Sequence, residues 1–164
     1  MIVGRMSVSS AHVPGSGTTG TWVDETDIRP TIMYLLGLKD DYVSDGRVVS
    51  EILTQPRKAL ASPWVTQLGQ CYKQLNSSVG ELGTDTLIAD TKAIASGSDA
   101  PGGDAEYGQT VQALTKLEQA RDQVAGQIKQ SLDGAEFGGP AVNDPKGQLD
   151  TCNAVLAQAQ AITG

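Results

Sequence analysis

A chain of 164 residues with 39% hydrophobic but only 4% aromatic side chains can close one domain, over a thin core rich in alanine. Its net charge of −7 offers no attractive field to a phosphate backbone, and no basic run offsets this locally, which argues against nucleic acid and anionic membrane surfaces as partners. No apolar run reaches the roughly 18 residues a membrane-spanning helix needs, and residues 1–10 lack the apolar centre of a secretory signal.

Residues 1–20 are rich in glycine, serine and threonine and read as loop, with at most a short strand at Ile2–Val3. The string Gly15 to Gly20 fits G-x-G-x-x-G. Pro14 precedes it and the extended-looking Thr21-Trp22-Val23 follows, so the strand and helix that a dinucleotide fingerprint requires are missing and a loop is expected. His12 is the only histidine, and nothing fixes it beside a cysteine, a serine or other metal ligands. Ile28, Ile32, Leu35 and Leu36 fall at helical spacing, with Asp27 as N-cap, Pro30 in the first turn and Gly37 at the left-handed C-terminal position. A short helix over 28–36 follows. Asp41, Asp45 and Gly46 resemble part of a calcium loop, but the third and twelfth positions hold Val43 and Ile52, so a turn is expected instead. Residues 47–54, RVVSEILT, read as a second short helix.

Beyond Gln55 the pattern becomes helical throughout. Ser62-Pro63 starts a helix carrying Trp64, Leu68, Tyr72, Leu75, Val79 and Leu82, kinked near Gly80 and Gly83 and continuing through Leu87, Ile88 and Ile94. After the linker at 96–104, Asp104 caps a long helix with Tyr107, Val111, Leu114, Leu117, Val124, Ile128 and Leu132 on one stripe. Residues 134–143 form a loop. Asp144-Pro145 opens a last helix lined by Leu149, Cys152, Leu156 and Ala159. Three apolar stripes with short connections predict a three-helix antiparallel bundle. Cys71 and Cys152 lie on stripes of two different helices and can face each other, as buried thiols or, in an oxidising compartment, as a disulfide. Arg121 lies on the apolar side next to Asp122, either reaching out at the bundle edge or forming a buried ion pair.

The stretch Thr21-Trp22-Val23-Asp24-Glu25-Thr26-Asp27-Ile28-Arg29-Pro30-Thr31 resembles the W-x-D-H-T-D-I-R-P-T signature of bacterial phosphoesterases of the alkaline phosphatase superfamily. The resemblance continues through residues 35–42 and Asp45-Gly46-Arg47-Val48, then through 71–76, Val79-Gly80, Asp85-Thr86-Leu87 and Arg121-Asp122, spanning roughly residues 21–160. It departs at Glu25, where the signature has histidine. The family implies a metal-dependent phosphoric ester hydrolase with an α/β core and two divalent metals, commonly zinc. Its nucleophile and most metal ligands precede the signature, and residues 1–20 hold no clear counterpart of them.

The expected architecture is therefore mainly α. Residues 1–56 are a remnant of the catalytic core with two short helices and loops, and residues 57–164 are the C-terminal helical bundle. As an isolated chain it is expected to be inactive, with no catalytic, cofactor-binding or metal residue of its own, and its partner would be the missing catalytic core. Trp22, Asp24, Glu25, Asp27, Arg29, Pro30, Gly37, Asp40, Asp45, Gly46 and Arg47 are expected to act structurally, capping helices and cross-linking loops through charge-assisted bonds. Residues 1–56 are expected to stay mobile, because their apolar helices lack the sheet they would pack on, and hydrogen exchange on residues 28–54 reads this. The parent's compartment, by resemblance, lies outside the cytoplasm. The alternative is a stand-alone helical binding or scaffold module.

Overall fold

A computed structural model describes residues 23–39, 41–97, 103–139 and 142–163. The readings made for residues 1–22, among them Ile2–Val3, His12, the glycine pattern and Trp22, lie outside the described residues, as does Asp40. The chain is mainly helical, with no strand among the described residues. A short 3-10 turn at Glu25–Asp27 leads into α1 (Ile28–Leu35). The bundle follows as α2 (Pro63–Asn76), α3 (Glu81–Gly97), α4 (Gly103–Phe137) and α5 (Pro145–Thr163).

Two elements differ from expectation. Residues 47–54 do not form a helix: Arg47 to Val49 are non-helical and only Ser50–Ile52 makes a 3-10 turn. The reason lies in the amides. Arg47 N–H donates to Asp27 Oδ1 (2.8 Å), Val48 N–H to Glu136 Oε1 (2.8 Å) and Val49 N–H to Thr31 Oγ1 (3.0 Å). Three successive amides are held by side chains distant in sequence, which fixes residues 47–49 on a non-helical path, with Val49 at ψ 80°. The three-helix bundle, in turn, is a four-helix one. The predicted kink is a full break at Ser77, whose backbone is extended (ψ 137°), and Gln74 Oε1 accepts the amide of Glu81 (3.0 Å) as the next helix begins.

Helices α4 and α5 pack against α2, α3 and each other. Gln148 Nε2 on α5 donates to Ser131 Oγ on α4 (3.0 Å), and Lys92 Nζ on α3 donates to the Thr163 carbonyl at the end of α5. The core contains Leu60, Leu68, Tyr72, Leu75, Leu82, Leu117, Val124, Ile128 and Leu132, filled in by Ala125, Ala135 and Ala159. The composition pointed to a core of small side chains, but large aliphatic groups make up most of it. Stripe assignments fail at the margins. Trp64, Val79, Leu87, Ile88, Ile94, Tyr107 and Val111 are exposed, and α3 buries Ala89 and Ala93 alongside the expected Leu82.

The ends follow local chemistry. Gly37, at φ +69°, closes α1: its N–H donates to the Tyr34 carbonyl (3.0 Å) and Leu38 N–H to the Met33 carbonyl (2.9 Å). This is the paired bonding of a Schellman motif. Asp144 caps α5 through Gly147 N–H (3.1 Å), with Pro145 at the first position. Residues 134–137, read as loop, remain helical to Phe137, and Asp104 lies inside the first turn of α4 rather than before it.

Cys71 on α2 and Cys152 on α5 form a disulfide across a sequence separation of 81, with Cα atoms 6.5 Å apart. Of the two states left open by the sequence, the bonded one is found. Arg121 pairs with Asp122 (2.7 Å) at a partly exposed edge rather than in a buried pair.

Candidate functional site

The signature segment meets the bundle through a cluster of buried polar side chains. Asp24 caps the 3-10 turn, accepting from Thr26 N–H (3.0 Å), while its own N–H donates to Asp27 Oδ2 (3.2 Å). Asp27 was expected to cap α1. It makes no cap bond to that helix, because its carboxylate is used elsewhere. It is fully buried, and Oδ1 accepts both Arg47 N–H and the Lys73 ammonium of α2 (2.7 Å). Lys73 also pairs with Asp24 (3.0 Å) and donates to Thr26 Oγ1 (3.2 Å). One ammonium thus serves two carboxylates and a hydroxyl. Burial works against the ionised form of Asp24, but hydrogen bonds from Thr26 and Lys73 outweigh it and hold the carboxyl below its ordinary value.

Around this knot the backbone is tightly drawn. Thr31 Oγ1 donates to the Asp27 carbonyl (2.7 Å) and accepts from Val49 N–H. Tyr72 Oη donates to the Asp45 carbonyl (3.0 Å) and accepts from Asn76 Nδ2 (3.0 Å). Gly46 passes so close to the turn that a Cβ there would lie 2.0 Å from the Thr26 carbonyl oxygen. Backbone, not a flexible side chain, is the obstacle. Gly46→Ala is therefore expected to cost about 2 kcal/mol by overpacking, read as a lower urea midpoint.

A second cluster lies on the other side of the segment. Arg47 is buried against Gly69 of α2 and forms a two-pronged pair with Glu51, at 2.9 and 3.0 Å. Glu136, in the last turn of α4, is also buried. Its Oε1 accepts from Val48 N–H, and Oε2 has no partner among the described residues. Burial pushes its carboxyl up to about 7, against the pull of the Val48 amide and Lys129.

Beside the knot an open cavity of about 480 Å³ is lined by Asp24, Glu25, Thr26, Asp45, Lys73 and Asn76, among others. Glu25, at the position where the resemblance expects histidine, is exposed on its wall. The two divalent metals implied by that resemblance do not fit here. Asp27 has both oxygens engaged, and the Lys73 ammonium sits between Asp24 and Asp27 where a cation would have to go. Among the described residues, no group of three or more His, Cys, Asp or Glu side chains converges as a metal would require.

The structure brings Asp24, Asp27, Gly46 and Arg47 together and leaves other predicted residues apart. Arg29 stacks over the Tyr42 ring (4.7 Å to its centroid), Pro30 is buried in α1, and Asp45 contributes its backbone carbonyl. The sequence reading missed Lys73, Thr31, Glu51 and Glu136. Glu136 carried a visible signal, since Val124, Ile128, Leu132 and Glu136 follow at i+4 on one stripe. Thr31 and Lys73 stand in stretches that carry the resemblance, but no local pattern pointed to their partners.

The apolar stripe of α1 faces outward. Ile28, Ile32, Leu35, Leu36 and the following Leu38 are each at least 50% exposed. The inner side of the same segment, through Asp27 and residues 46–50, is buried. In place of a sheet, this inner face packs on α2 and α4. No family model, curated protein or solved structure matches this chain.

Proposed function

We propose that this chain is the C-terminal part of a metal-dependent phosphoesterase of the alkaline phosphatase superfamily, a helical module that anchors the signature segment and performs no catalysis itself. The observation that carries this reading is the two-sided character of residues 24–50. Their inner face is pinned to α2 by a buried ion pair and to α4 by a buried hydrogen bond, while α1 and the turn that follows it point five large apolar side chains outward. An apolar patch of this kind marks a surface that docks against another body. In this reading that body is the α/β catalytic core, which carries the nucleophile and the two metals. The Cys71–Cys152 disulfide supports a compartment outside the cytoplasm.

Two experiments test it. The purified chain, supplied with zinc, is expected to leave a chromogenic phosphodiester unhydrolysed; turnover at enzyme-like rates would overturn the proposal. The DNA upstream of the Met1 codon is expected to continue in frame into a metal-binding core, and a stop codon directly before Met1 would count against it.

A second reading is favoured by one observation. Residues 46–50 complete the bundle's own surface, with Val48 in its core, so the described residues form a self-consistent unit. As a stand-alone binding or scaffold module, the chain would use the α1 stripe to hold a partner of its own. The upstream DNA separates the two readings.

A further inference from the structure

Both readings of the function use Glu136 only as an anchor for Val48, and neither uses its ability to ionise. It is the bundle side chain that holds the backbone of the 46–53 segment, through the Val48 amide, whereas the neighbouring amides of Arg47 and Val49 are held by Asp27 and Thr31 of the N-terminal segment itself. It is buried at the end of α4, where helix carbonyls disfavour a negative charge, and Oε2 finds no donor among the described residues. The charges acting on it are Lys129 and Asp133, on its own helix and paired with each other, and Arg47 on the segment, which is committed to Glu51. On α2, Tyr72 stays a neutral phenol, since burial and the Asp45 and Asp133 charges push its hydroxyl further up. Ionised Glu136 is therefore poorly compensated where it sits.

We propose that Glu136 is a pH-dependent latch: as the neutral acid it holds the 46–53 segment closed on α4, and loss of its proton to solvent favours an open state in which that segment lifts away and the carboxylate reaches water. The latch stands on the geometry of Glu136 and is independent of the phosphoesterase reading.

The sign follows from linkage. The closed state keeps the proton up to about pH 7, whereas a carboxyl in water titrates near 4.5. Between those values the open state binds fewer protons, so opening grows more favourable as pH rises and levels off above 7. The opening equilibrium is expected to increase roughly 70-fold from pH 5 to pH 8. Hydrogen exchange of the Val48 amide, corrected for its intrinsic pH dependence, reads this directly. In the wild type its protection should fall by that order, and in Glu136→Gln, which keeps the acceptor for Val48 but cannot ionise, it should stay flat. A wild-type protection factor that changes less than about threefold over the range, or an equal fall in the variant, overturns the latch. Carboxyl-carbon NMR of the unmodified chain tests it without a substitution. A Glu136 midpoint near 7 supports the latch, and one below 5 overturns it.

Discussion

Removing the Cys71–Cys152 disulfide, by Cys71→Ser with Cys152→Ser or by reduction, is expected to lower the stability of the chain by about 4 to 5 kcal/mol in the chain-entropy account of a loop this long. The bond spans a sequence separation of 81 and ties α2 to α5, enclosing α3 and α4. An unfolded chain closed at those points has lost much of its freedom before folding begins. The bond joins two helices whose buried faces meet in the one core of the bundle, where Cys71 and Cys152 both lie. Both cysteines are buried, so the serine hydroxyls of the variant add a desolvation cost of their own. For a chain of this size the loss corresponds to a melting temperature lower by about 10 to 15 °C. Thermal melts with and without reductant check it, and a shift of less than 3 °C would show that the covalent tie contributes little.

Asp27→Ala is expected to cost about 3 to 5 kcal/mol, since it leaves a buried cation short of its nearest counter-charge. Lys73 keeps Asp24 at 3.0 Å, but Asp24 is partly exposed and already committed to Thr26. The same substitution orphans the buried Arg47 amide, which has no other acceptor in the described structure. Asp27→Asn is expected to cost less, because an amide oxygen still accepts from Arg47. Replacing the pair together, Asp27→Asn with Lys73→Met, should cost less than the sum of the single changes. Urea unfolding of the four proteins gives the coupling directly. Strict additivity would show that Asp27 and Lys73 do not act as a pair.

Much of the helical organisation was legible in advance because it rests on local periodicity. Val124, Ile128 and Leu132 declare the buried face of α4, and Asp144-Pro145 declares the start of α5. Local signals failed where the deciding partner lies far along the chain. Residues 47–49 have apolar spacing compatible with a helix, yet their amides are claimed by Asp27, Thr31 and Glu136. Glu136 is 88 positions from the amide it holds, a pairing no window of sequence displays. Periodicity also locates a stripe without saying which body covers it. Ile28, Ile32 and Leu35 share a face as expected, but that face points away from the bundle.

Asp27 shows how a residue can be recognised as structural and still be assigned the wrong task. An aspartate before a helix with proline in its first turn reads as a cap. The capping role belongs to Asp24, one turn earlier, and Asp27 faces inward to join the signature to the bundle. Both assignments place Asp27 in contacts that hold the fold together. Only the packing of Lys73 beneath it shows why it has to be a carboxylate.

The central claim is that the signature segment is locked to the helical bundle by these buried polar contacts. Hydrogen exchange at pH 5 on the amides of Arg47, Val48 and Val49 tests it most directly. The account predicts strong protection at all three, within about tenfold of the core amides of Leu68 and Ile128. Exchange at unprotected rates at 47–49, with Leu68 and Ile128 still protected, would contradict it.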